Sequence, residues 1–194
     1  MNNLKIICLG DSITRSFGVT MSKSWVSLVN NELDCKVMNY GISGDSTSGM
    51  LVRFYTQILR ERPDVLFVMG GGNDLRAGCP AWAIQNNIQT IIYNCRANGI
   101  LPVVGLTVPQ DLNNLSLEFS RLAIPENMQI ETEKYRSWLL KLPSTIGVDI
   151  IDFYDVFASQ DLKKVYLDGL HPNMDAQEKL AKRFLEGIKK IINI

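Results

Sequence analysis

Five short apolar runs constrain this chain more than anything else in it. "LKIICLG" (4 to 10), "CKVMNYG" (35 to 41), "DVLFVMG" (64 to 70), "ILPVVGL" (100 to 106) and "VDIIDF" (148 to 153) are rich in Val and Ile and stand far enough apart for a helix to fit between each pair. A strand wetted on one side alternates apolar and polar residues. A run that is apolar throughout is covered on both faces, as in a parallel sheet between two helical layers. The expectation is an α/β fold, a three-layer α/β/α sandwich with about five parallel strands.

The intervals read as crossover helices. Trp25, Leu28 and Val29 follow Ser24; Leu51, Phe54, Ile58 and Leu59 keep helical spacing before "RERPD"; Ile84, Ile88, Ile91, Ile92 and Cys95 form a stripe that stops before Gly99. Near the end Ala176, Leu180, Phe184 and Ile188 recur every four residues, joined by Ala181, Leu185 and Ile192. Asp175 with Glu178 could close the start of that helix as a reciprocal cap, in competition with Asn173. No linker or repeat divides the chain, so residues 1–194 read as one domain. The least regular interval is 107–127, which holds two prolines yet also Leu112, Leu115, Leu117, Phe119 and Leu122. A connection this long after a strand either lines a binding site or crosses the surface with a short helix.

Composition removes several classes of function. Twenty basic residues balance twenty acidic ones, and no basic stripe precedes the last helix, so nucleic acid is not an expected partner. Lys179, Lys182, Arg183, Lys189 and Lys190 read as a solvated helix face. "MNNLKIICLG" passes straight from an apolar run into a polar loop without the pattern of an export signal, and no run approaches about 18 apolar residues, so no integral membrane association is expected. Cys8, Cys35, Cys79 and Cys95 lack metal-ligand spacing, and there is one histidine, so neither a metal nor another cofactor is expected. The cysteines read as free thiols of a reducing, cytoplasmic compartment. A weak homodimer is the default expectation for oligomeric state.

Open parallel sheets bind ligands at the carboxyl ends of their strands. The residues there are "GDSIT", "GISGDST", "GGND" and "LDGLHP". Ser12 follows the first strand beside Gly10, whose small size admits close approach of a substrate; it reads as a nucleophile or as a turn serine. Thr14 stands where a G-x-S-x-G elbow needs glycine, which argues against an α/β-hydrolase turn. Gly41 and Gly44 bracket a tight turn, and Gly44 either exposes its amide to a reacting oxygen or serves a positive φ. "GGGND" has the spacing of neither a dinucleotide fingerprint nor a P-loop. Asn73 can donate its amide to an oxyanion or close an Asx-turn, and Asp74 can hold the loop through backbone amides.

The only histidine, His171, lies in "DGLHPN" three residues after Asp168. On a turn the two can sit side by side, the carboxylate holding Nδ1–H while Nε2 faces a serine, and Pro172 disfavours helical backbone at His171. A serine hydroxyl attacks an acyl carbonyl only when a base removes its proton, and the intermediate needs donors where charge develops. Ser12, His171 and Asp168 meet the first need. The amides of Ser12 and Gly44 with the Asn73 side chain meet the second.

With "GDSI" (10 to 13), "GISGDS" (41 to 46), "GGND" (71 to 74) and "DGLHPN" (168 to 173) in order over essentially the whole chain, the sequence resembles the SGNH hydrolases, also called the GDSL lipase/esterase family. The resemblance implies a flavodoxin-like sheet of order 2-1-3-4-5. It also implies Ser12 as nucleophile, Gly44 and Asn73 as oxyanion donors, His171 as base and then acid, and Asp168 as its orienting partner. The implied activity is hydrolysis of carboxylic esters, with thioesters and lysophospholipids in range, through an acyl-enzyme in a shallow groove. Carbohydrate O-deacetylation is the enzymatic alternative, and a noncatalytic carbohydrate- or lipid-binding module the alternative of another class. Ile13 departs from the usual Leu and is expected to pack behind the serine turn. The connection 107–127 is longer than in secreted bacterial members, which separates acyl preference from the resemblance.

Overall fold

The structure, a computed structural model, describes residues 4–121 and 124–193. In chain order it runs β1 (Lys5–Gly10), α1 (Ser12–Arg15), α2 (Trp25–Glu32), β2 (Lys36–Gly41) and α3 (Thr47–Arg53), then through a π-helical stretch (Phe54–Ile58) into α4 (Leu59–Glu61). There follow β3 (Val65–Met69), α5 (Gly72–Arg76), α6 (Ala81–Ala97), β4 (Leu101–Leu106), α7 (Met128–Ile146), β5 (Asp149–Asp152), α8 (Tyr154–Phe157), α9 (Leu162–Val165) and α10 (Met174–Ile191). The five strands are parallel and lie in the order β2-β1-β3-β4-β5. The order and the three layers are those expected.

Burial follows strand alternation. Ile6 and Cys8 of β1 face a core built with Trp25, Val29, Phe67, Phe153, Leu180 and Phe184, so α2 and α10 cover one side of the sheet. Ile7 and Leu9 face the other core, with Met50, Phe54, Ile84, Ile88 and Leu139, covered by α3, α6 and α7. Trp25 meets Phe67 and Phe153 edge-on, at centroid distances of 5.8 and 5.3 Å, a geometry that the ring quadrupoles favour. Each buried side chain of this size contributes roughly 1.5–3 kcal/mol by leaving water.

One local alternative is decided by the structure. Asn173, not Asp175 with Glu178, caps α10: its side chain accepts from the Ala176 amide at 3.1 Å. The short side chain of Asn173 already occupies the capping position, so no reciprocal pair is needed. Helix α7 carries Pro143 near its end, where the missing N–H costs only a bond of the last turns. Among the described residues no helix is long and apolar enough to cross a membrane.

Candidate active site

The site is built where β1, β2 and β3 end. Asp11 caps α1, its Oδ1 accepting from the Ile13 amide at 2.9 Å, and Ser12 is the first residue of that turn. Trp25 Nε1 donates to the Ile13 carbonyl at 3.0 Å, and Ile13 itself is buried behind the serine, as its apolar character predicts. Gly10 serves a different purpose from the one expected. A Cβ there would lie 2.1 Å from Thr14 Oγ1 and 2.7 Å from the Met69 carbonyl, so the missing side chain lets the serine turn pack on the sheet. Gly44 has φ of 81° with open space where a Cβ would point, so backbone shape selects it. Among the described residues, the backbone N–H groups of Ser12 and Gly44 donate to no protein acceptor.

Residues 166–172 fold into a narrow loop, with Tyr166 bridged to Pro172 and the Leu167 amide donating to the His171 carbonyl at 2.8 Å. Asp168 Oδ1 accepts from the amides of Leu170 and His171 at 2.9 and 2.8 Å, leaving Oδ2 at 2.7 Å from His171 Nδ1. His171 Nε2 lies 2.9 Å from Ser12 Oγ. An ionised carboxylate only accepts, so Nδ1 carries the ring proton and Nε2 presents its lone pair to the serine hydroxyl. Burial pulls the Asp168 carboxyl upward, but the bonds from the His171 ring and the Leu170 and His171 amides outweigh it and hold the group below its ordinary value.

Asn73 is held across loops, not in a local Asx-turn. Its Nδ2 donates to the Asp45 carbonyl at 2.8 Å, and its Oδ1 accepts from Arg76. Asp74 does hold the loop: its carboxylate takes the Thr47 amide at 3.0 Å and the Thr47 hydroxyl at 2.8 Å. Ser12, Asn73 and His171 line one small pocket, together with Asp11, Arg76, Thr107 and Gln110. Gly44 stands in the turn next to Asp45, whose carbonyl takes that Asn73 bond.

Several supports have no signature in the sequence. Buried Arg53 donates to the Tyr40 and Gly10 carbonyls, at 2.8 and 3.1 Å, and to Asp45 at 2.5 Å, tying together the ends of β1 and β2 and the turn that bears Gly44. Gln177 of α10 accepts from Ser16 at 2.8 Å and donates to the Pro172 carbonyl at 3.0 Å, which joins the serine turn to the histidine loop. Phe17 and Phe119 flank the His171 ring at centroid distances of 4.6 and 5.5 Å.

The connection after β4 runs along this loop. Asp111 and Ser116 donate backbone N–H groups to the Gly169 and Asp168 carbonyls at 2.8 and 3.0 Å, and Tyr166 donates to the Pro109 carbonyl. A cavity of about 520 Å³ opens between it and α7, sharing Gly72, Thr107, Val108 and Gln110 with the pocket around Ser12. Of the apolar residues singled out here, Leu112 lines the cavity and Leu117 is 84% exposed. Leu122 lies outside the described residues.

Asp11 has an energetic cost. Burial drives its carboxyl up to about 6, against the Ile13 amide and Arg76, with Asp45 and Asp74 adding to the rise. The folded form therefore binds the proton more tightly than the unfolded chain does, and stability falls as pH rises from the ordinary carboxylate range through 6. Well above pH 6 the cost is on the order of 3 kcal/mol. Asp11→Asn keeps the acceptor for Ile13 without the charge, so its Tm should exceed that of the parent at pH 8 and match it near pH 4. Equal Tm at both pH values would contradict the assignment.

A doubly wound parallel sheet carrying an Asp–His–Ser hydrogen-bond chain is the framework of a serine-dependent acyl hydrolase. The chain belongs to the GDSL-like Lipase/Acylhydrolase family, whose model matches residues 8–179. It is 27% identical to Esterase TesA of Pseudomonas aeruginosa, over 96% of this chain and 89% of that one. With the Thioesterase 1/protease 1/lysophospholipase L1 of Escherichia coli K12 it shares 24% identity, over 97% and 85%. Its fold superposes on the psychrotrophic esterase EstA of a Pseudoalteromonas species, solved inhibited by monoethylphosphonate, with a TM-score of 0.80, 21% identity and full coverage of both chains.

Proposed function

We propose that this protein hydrolyses carboxylic esters through an acyl-enzyme at Ser12, acting as a single catalytic domain over residues 1–194. The observation that carries the reading is the unbroken chain from Asp168 through His171 to Ser12, at 2.7 and 2.9 Å. His171 Nε2 takes the hydroxyl proton as Ser12 Oγ attacks the acyl carbonyl. The oxyanion collects the Ser12 and Gly44 amides and the second N–H of Asn73, since a primary carboxamide has two donors and Asp45 takes one. His171 then protonates the departing alcohol or thiol, and the same nitrogen activates the water that releases the acyl group.

The names of the relatives support esters first, with thioesters and lysophospholipids as variants. Carbohydrate O-acetyl esters are the second reading, favoured by the polar side chains of Gln110, Thr132, Glu133 and Arg136 in the cavity wall. A panel varying acyl length and leaving group separates them. A cytoplasmic setting belongs to the proposal and is supported by four unbridged thiols, of which burial pushes that of Cys95 up to about 12.

The direct test is treatment with an organophosphonate followed by peptide mass spectrometry. A single adduct on Ser12, in step with loss of esterase activity, is expected. An active preparation in which Ser12 stays unmodified would overturn the assignment, and absence of any turnover or labelling would favour a noncatalytic binding module.

A further inference from the structure

Arg76 stands among the site residues without a part in the proton transfers. It ends α5, the turn that begins at Gly72 and bears Asn73, and it lines the pocket with Ser12, Asn73 and His171. Burial lowers its hold on the proton, while the carboxylates of Asp11 and Asp168 act the other way, and a guanidinium in such company stays charged. Its bond is to Asn73 Oδ1, the end of the carboxamide opposite the one that donates.

We propose that Arg76 is a positioning residue for the oxyanion site, fixing the plane of the Asn73 carboxamide and polarising its N–H toward the reacting oxygen. The inference rests on the ester-hydrolase reading above. One bond from Nδ2 to the Asp45 carbonyl, at 2.8 Å, leaves the carboxamide free to tilt about that contact. A second bond, at Oδ1, removes the tilt. Turning the group end for end would set Oδ1 against the Asp45 carbonyl and Nδ2 against a guanidinium, two like-sign contacts in a partly buried place. A charged donor on Oδ1 also draws electron density from the amide nitrogen, which strengthens the remaining N–H as a donor. Arg76 itself has no need to reach the substrate. Its effect passes through Asn73, and because the oxyanion exists only on the way to and from the tetrahedral intermediate, that effect falls on kcat.

The test is a double-mutant cycle on a p-nitrophenyl ester with kcat and KM measured separately. Asn73→Ala alone should lower kcat by roughly 10²- to 10³-fold. Arg76→Met alone should lower kcat by roughly 10- to 100-fold, the range for residues that orient a reacting group, and leave KM unchanged. Added to Asn73→Ala, the same substitution should cost nothing further. Arg76→Lys, which keeps a charged donor, should recover part of the loss, and guanidinium chloride at concentrations far below unfolding should partly rescue Arg76→Ala. An equal loss from Arg76→Met in both backgrounds, or a rise in KM with kcat intact, would overturn the proposal. Phosphonate titration keeps the two readings apart. If the parent enzyme takes no adduct at Ser12 the hydrolase reading has failed, whereas labelling of Ser12 with an unchanged kcat in Arg76→Met sinks the positioning role alone.

Discussion

Ser12→Ala is expected to lower kcat by about 10⁶-fold, the scale on which a serine hydrolase loses rate when its nucleophile is removed. The substitution deletes one oxygen, 2.9 Å from His171 Nε2, and leaves the carboxylate–imidazole pair intact. Because Ser12 is one of four residues in a short capped turn whose bonds run through the backbone, folding should survive. The far-UV spectrum and Tm should match those of the parent while no phosphonate adduct and no acyl-enzyme form. Residual turnover above about one part in 10⁴ would mean that another group carries the attack.

Asp168→Asn should cost about 10⁴-fold in kcat, and the loop determines why. The amides of Leu170 and His171 both point at Oδ1, so a carboxamide must keep its oxygen there. Its NH₂ then faces His171 Nδ1 in place of the present acceptor at 2.7 Å. The ring answers by carrying its proton on Nε2, and a protonated Nε2 cannot take the proton of Ser12. The loop is nearly isosteric, so the rate should fall with little change in KM. The parent carboxyl, held below its ordinary value, adds stability that persists above the carboxylate range and is lost as pH falls through it; the amide lacks that dependence. A variant retaining more than a tenth of the parent kcat would show that tautomer control at His171 is not required.

The sheet was legible because its cause is local. In runs such as "DVLFVMG" the residues after Asp64 are apolar without interruption, and the β3 residues Val65–Met69 are all buried. Amphipathic spacing likewise announced α6 and α10, whose stripes of Ile84, Ile88 and Ile91, and of Leu180, Phe184 and Ile188, lie in the two cores. Helix α7 was silent: Tyr135, Leu139 and Leu142 are its main buried residues, and Pro143 interrupts the pattern. Gly10 was misread because only the assembled packing puts Thr14 and the Met69 carbonyl where its side chain would be.

For the site, the residue types proposed to react and their order were legible along the chain, and the Asp168–His171 contact is local, since the two are three residues apart and one tight loop joins them. The distance between Ser12 and His171, 159 positions apart in the chain, belongs to tertiary structure, because β1 must pair in the sheet and α10 must dock before the two loops meet. The same holds for Arg53, Arg76 and Gln177. Arg53 and Gln177 satisfy carbonyls that become neighbours only on folding, Arg76 reaches Asn73 within its own turn but enters the pocket beside Ser12 and His171 only in the closed fold, and a buried polar group is costly unless its partner arrives. Patterns in the chain record which surfaces are covered and which chemistries are at hand. Only the closed fold decides which polar atoms are left facing one another without water, and therefore which side chains must hold the reacting ones in place.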